Sequence, residues 1–359
     1  MGSISAANAE FCFDMFKELK VHHVKENIFY SPLGIISTLS MIYLGARGNT
    51  EFQMEKVSYL HKSIEAPFDP VNVLPGLVWW LQLLSLQIYL KCVKKLYRAG
   101  LETINFKTAS DQARQLINSW VENQTNGQIQ DFLEPGSVDL NTALLLINAI
   151  YFKGMWKKAF REEDTQEVLF SMTKQESKPV QMMCQNGTFK IAVVADEKIK
   201  VLELPYAGRE LSMLVLLPED ASSLEQLEST ISFEKLTEWT SPNMMEKKTV
   251  KVYLPRMKIE EKYNLTSVLT ALGMTDLFSP LANLSGISAA ETLKMSEALH
   301  EASMEVSEAG TEVAGSTGAM GEIKHSPVSE EFRADHPFLF LIKHNPTNII
   351  IFFGRCFYP

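Results

Sequence analysis

The chain has 359 residues, room for one large domain or two smaller ones, and its 34 basic against 43 acidic residues leave a net charge of −9. That acidic balance argues against a nucleic-acid partner, whose phosphates call for a basic excess. A hydrophobic content of 46% with 21% charged residues describes a chain able to bury a full core, and four cysteines exclude a scaffold built on disulfides.

The start, Met1 to Ala6, has no basic segment, apolar run or small-residue cleavage site, so no cleavable signal peptide is expected. Residues 8 to 20 set Phe11, Met15, Phe16 and Leu19 at helical spacing, with Lys17 and Lys20 toward the other face. The apolar run from Ile28 to Gly45 reads as a buried core helix. Its other reading is an uncleaved internal export signal within 21–47. Pro32, Ser31, Ser37, Thr38 and Ser40 argue against a membrane span, so no membrane insertion is expected. Leu74 to Leu90 is too short and too polar to span, and reads as buried or mis-spliced sequence.

Further on, 109–122 predicts a helix with Ala113, Leu116, Ile117 and Trp120 on one side. Leu144 to Phe152 is a long apolar run that suits a strand buried on both faces. Val201–Leu204, Leu211–Leu217, Val250–Leu254 and Ile349–Phe353 read as strands bounded by turn residues. Helices early and strands late give an α+β class.

Between Ser307 and Ser329 the chain turns to Gly, Ala, Ser and Thr, the composition of a flexible loop. Inside it Thr311, Val313, Gly315 and Thr317 alternate with Glu312, Ala314, Ser316 and Gly318. A period of two is strand periodicity, so the loop reads as a latent strand able to enter a sheet. Four Asn-x-Ser/Thr triplets, at Asn123, Asn186, Asn264 and Asn283, are glycosylation candidates and fit a secreted chain. Gly315, Gly318 and Gly321 imitate a dinucleotide loop, but no buried strand precedes them. Metal-ligand spacing, a G-x-S-x-G elbow and a Walker motif are absent from the sequence, so no enzyme activity, metal or cofactor is expected.

Several runs together carry a family resemblance. They are Asn27-Ile-Phe-Tyr-Ser-Pro32, Leu44-Gly-Ala-Arg-Gly-Asn-Thr50, Asn148-Ala-Ile-Tyr-Phe-Lys-Gly-Met-Trp156, Glu203-Leu-Pro-Tyr206 and Phe332-Arg-Ala-Asp-His-Pro-Phe338. By these the chain resembles the serpins, and within them the ovalbumin group of bird egg-white proteins. The resemblance implies one domain over 1–359, a monomer with three β-sheets, surrounding helices and an exposed reactive-centre loop at about 308–331. In inhibitory members a protease cleaves that loop, which then inserts as a strand and distorts the trapped acyl-enzyme; stored metastability drives the step.

Carried over residue by residue, Glu308, Ala309, Gly310, Thr311, Glu312, Val313, Ala314 and Gly315 match the hinge. Thr311, small and β-favouring, does not block insertion. Val313 is bulkier than the alanine usual in inhibitory members, and Gly315 weakens a strand through backbone entropy. Family spacing puts the scissile bond between Lys324 and His325, and a Lys there suits the acidic pocket of a trypsin-like serine protease, the partner the resemblance implies. Ser31, Asn148 and His300 match a hydrogen-bonded cluster beneath the sheet-opening point, with Gly34 standing where many members have a second serine. Trp156 matches the aromatic at the top of the sheet. The function implied is an egg-white storage protein with weak or no inhibition. The alternative is an active inhibitor with Lys324 as bait.

One stretch departs from the pattern. Phe68 to Ile88 replaces a helix and a main-sheet strand of the family, so one helix and one strand are expected to be missing around 67–88. Cys92 matches one half of the family group's disulfide, but no Cys stands near Pro67. Cys12, Cys184 and Cys356 then read as free thiols. The missing helix is where some members bind glycosaminoglycan; the remaining Lys91, Lys94, Lys95 and Arg98 read first as a solvated helix face.

Overall fold

The computed structural model describes residues 2–58, 77–81, 89, 91–93, 95, 100–103, 106–139, 142, 144–288, 293–312 and 330–359. The chain divides into two compact units, one of Met1–Leu19, Tyr30–Tyr151 and Glu260–Ser303, the other of Lys20–Phe29, Phe152–Ile259 and Met304–Pro359.

Labelled helices are α1 (Gly2–His22), α2 (Pro32–Gly45), α3 (Gly48–Ser58), α4 (Phe106–Gln124), α5 (Leu224–Thr230), α6 (Phe233–Trp239) and α7 (Thr266–Ala271). Strands are β1 (Ile28–Tyr30), β2 (Leu77–Leu81), β3 (Gly100–Thr103), β4 (Leu144–Lys153), β5 (Trp156–Lys158), β6 (Gln166–Ser171), β7 (Ser177–Val194) and β8 (Ile199–Pro205). They continue as β9 (Leu211–Pro218), β10 (Glu246–Pro255), β11 (Met257–Asn264), β12 (Glu297–Val306), β13 (Gly310–Glu312), β14 (Glu330–Arg333), β15 (Phe338–His344) and β16 (Ile349–Cys356).

Among the described residues these strands form three sheets. A five-stranded sheet runs β11-β12-β4-β2-β3, a two-stranded one pairs β13 with β5, and a nine-stranded one runs β1-β16-β15-β9-β8-β7-β10-β14 with β6 beside β7.

The apolar runs find their expected places. Phe11, Met15, Phe16 and Leu19 of α1 are all buried. The run beginning at Ile28 becomes β1 and then α2, whose Ser31 caps the helix by accepting the Gly34 N–H at 3.0 Å, with Pro32 at the first turn where a missing N–H costs nothing. Nearly all of α2 is buried. Among the described residues no helix is long and apolar enough to cross a membrane. Residues 144–150 of β4 are buried on both faces, as expected of an unbroken apolar strand.

Two expectations change. On α4 the buried stripe is Ala113, Ile117 and Val121, while Leu116 is 57% exposed. The i, i+4, i+8 row carries the buried stripe and leaves Leu116 outside it. The stretch around 67–88 also supplies a strand: β2 pairs antiparallel with β4 (Leu77↔Asn148, Leu81↔Leu144) and parallel with β3. The main sheet is therefore not short of a strand there. Leu77-Val-Trp-Trp-Leu81 is rich in β-favouring residues, and its backbone meets the donors and acceptors that β4 would otherwise leave open. The expected loss of a helix around 67–88 falls, apart from β2, outside the described residues.

Candidate functional site

Two groups of matched residues can be followed in the structure. In the first unit, His300 lies on β12 with no solvent exposure, and its Nε2 accepts the Ser31 backbone N–H at 3.1 Å. Nε2 therefore carries no proton. Burial drives the His300 pKa down to about 3, against a smaller opposing effect of the Asn148 backbone. Tyr263 stacks on the imidazole at 6.5 Å.

Ser31 is thus doubly used, its hydroxyl on α2 and its amide on His300. Asn148 differs from the expected cluster: its side-chain Oδ1 and Nδ2 are both buried without a hydrogen-bond partner. Gly34 gives a geometric reason. A Cβ on Gly34 would lie 2.8 Å from Asn148 Oδ1, so the amide occupies space that a serine would need. The cluster is a His300–Ser31 pair beside an orphaned amide.

The second group sits where β12 ends, in the second unit. Glu308 is held on three sides: Arg256 Nη2 donates to Oε1 at 2.6 Å, Arg256 Nε to Oε2 at 3.1 Å, and the Thr165 hydroxyl to Oε1 at 2.7 Å. Burial raises the carboxyl pKa, but the Arg256 and Thr165 hydrogen bonds outweigh it and hold Glu308 below its usual value. The backbone follows: Phe160 N–H donates to the Glu308 carbonyl at 3.1 Å and Trp156 N–H to the Ala309 carbonyl at 2.9 Å. Beyond them Gly310–Glu312 forms β13, parallel to β5 in the register Gly310↔Trp156 and Glu312↔Lys158. Gly310 is needed for this approach, because a Cβ there would meet the Ala159 backbone at 2.7 Å.

Trp156 anchors the group. It is 2% exposed, stacks on Tyr206 at 4.6 Å and 8°, and donates its indole N–H to the Ser307 carbonyl at 2.8 Å. Strands β4 and β12 are hydrogen-bonded neighbours, so no strand stands between them. Val313, Ala314, Gly315, Lys324 and His325 lie outside the described residues. Sequence reasoning named Glu308 but missed Arg256 and Thr165, which lie 52 and 143 residues away from it in the chain.

Asn123, Asn186, Asn264 and Asn283 are all exposed. All four cysteines are free: Cys12 and Cys356 buried, Cys184 half-buried, Cys92 exposed. Among the described residues no group of three His, Cys, Asp or Glu is placed to hold a metal.

A family profile described as "Serpin (serine protease inhibitor)" matches residues 6–359. The chain is 62% identical to the ovalbumin of Dromaius novaehollandiae and 56% identical to ovalbumin-related protein Y of Gallus gallus, over all of each chain. The first of these alignments runs over 388 positions against 359 residues here, in keeping with a shortened chain. Its fold is similar to that of uncleaved ovalbumin, with a TM-score of 0.91 and 57% identity over the whole of both chains. The chain belongs to the serpin family and is similar there to ovalbumins and ovalbumin-related proteins.

Proposed function

We propose that the protein is a secreted, glycosylated, ovalbumin-type storage serpin, a monomer of one domain over 1–359 that does not trap proteases. The observation carrying this reading is the likeness to ovalbumin over the full length in both sequence and fold. Loop insertion would require β4 and β12 to part and the hinge to leave β5. The Glu308–Arg256–Thr165 clamp and the close seat of Gly310 oppose that, which supports weak or absent inhibition. Val313 and Gly315 add no help, being respectively bulky and entropically costly in a strand. A trypsin-like protease meets the loop at Lys324 as a substrate, in this reading, and leaves with its activity.

The test is the amidase activity of trypsin held with a molar excess of the protein. Full activity with a clipped chain is expected; loss of activity in proportion to added protein overturns the reading. Secretion and glycosylation are read separately: glycosidase treatment of the protein secreted by an expressing cell line should lower its mass, and Asn264→Gln with Asn283→Gln should reduce that shift. An unchanged mass rejects the glycoprotein reading.

A further inference from the structure

A cleft of about 540 Å³ in the second unit is lined by Lys157, Lys190, Arg209, Lys247 and Lys343, with Glu203 as the carboxylate among the lining residues. Five cations converge there on a chain whose net charge is −9. The strand registers align Lys247, Lys190 and Glu203 across three neighbouring strands, with Lys343 two positions off that row. Lys247 stands directly opposite Lys190, Lys190 directly opposite Glu203, and Lys343 directly opposite Ser212. Glu203 reaches Lys190 at 3.1 Å. That carboxylate balances one lysine, and the cross-strand Lys247–Lys190 pair remains a like-charge juxtaposition that costs stability.

Two further features belong to the same cleft. Arg209 adopts a φ of 63°, the left-handed region that is unfavourable for a side-chain-bearing residue. It is held so by Asn345, whose Nδ2 donates to the Arg209 carbonyl and to Ser212 Oγ, both at 2.9 Å. A residue in a strained backbone conformation thus belongs to the lining of the cleft. Lys343 is half-buried; burial pushes its pKa down, Glu203 opposes that and Lys190 adds to it. An anion in the cleft would relieve these repulsions together.

We infer that this cleft binds a compact, multiply charged phosphate compound. Its volume lies in the range of small-molecule sites. Arg and Lys together supply a bidentate fork and mobile point charges for phosphate oxygens. The acidic balance of the molecule as a whole disfavours extended polyanions, which would reach past the cleft.

The experiment is a calorimetric titration of the full chain with inorganic pyrophosphate at low ionic strength. One-to-one binding is expected, weakened about tenfold or more in Lys247→Gln/Arg209→Gln and unchanged in Lys174→Gln, an exposed lysine outside the cleft. Should the double variant fail to fold, Lys157→Gln carries the same expectation. No binding at millimolar pyrophosphate, undiminished affinity in the folded cleft variant, or an equal loss in Lys174→Gln overturns the inference.

Discussion

Glu301 and His300 are neighbours on β12, and burial moves their proton equilibria in opposite directions. Burial raises the Glu301 carboxyl to about 7, with Lys262 at 4.0 Å pulling it down and Glu260 adding to the rise. The folded chain therefore holds this proton more tightly than the unfolded chain, and stability falls as pH rises from about 4.5 to about 7. His300 holds its proton less tightly when folded, so its share of stability is lost as pH falls from 6.5 toward about 3. Glu301→Gln removes the first slope. Thermal melts should show it equal to the parent near pH 5 and more stable by on the order of 2 kcal/mol near pH 8. Asn148 gives a second expectation. Its amide is already unpaired, so Asn148→Ala should cost less than about 1 kcal/mol, whereas Ser31→Ala, which uncaps α2, should cost about 1–2 kcal/mol in urea unfolding.

At the scale of elements, Gly310–Glu312 is a short strand whose preceding carboxylate, Glu308, is pinned by Arg256 and Thr165. Arg256→Met leaves a 6% exposed Glu308 facing Thr165 with its main counter-charge gone. A loss of roughly 2 kcal/mol is expected. Faster amide exchange at Trp156 and Phe160, which donate to Ala309 and Glu308, should accompany it. Because the folded pKa of Glu308 is lowered, the clamp's contribution is present above the ordinary carboxylate value and lost as pH falls through the folded one. Protection factors at these amides, corrected for the intrinsic pH dependence of exchange, should fall on acidification in the parent and not in Glu308→Gln.

Which elements were legible follows from pattern strength. Strands β4, β8, β9 and β16 announce themselves by dense apolar runs, and α1 by its spacing. The 18-residue β7 did not, because its exposed first third carries Lys178, Pro179 and Gln181 and breaks the alternation. The helix stripe at Val121 was misplaced onto Leu116 by counting apolar residues rather than the i, i+4 row. Glu308 was legible through its family motif. Its partners were not, since nothing local marks Arg256 or Thr165 as bound for a residue so distant in the chain. The basic cleft was equally hidden: its lysines come from separate strands and meet through sheet register.

For the whole molecule, the sheet that must open in an inhibitor is closed, with β4 beside β12 and β2 filling the place expected to be empty. The chain is similar to ovalbumins over its full length in sequence and in fold. The storage role proposed above requires that loop cleavage end in a clipped chain rather than a trapped protease. It is tested most directly by mixing the protein with trypsin and resolving the products on a denaturing gel. A shortened chain and free trypsin are expected, with no band at their summed mass. A stable covalent band of that mass, abolished by Lys324→Ala, would contradict it.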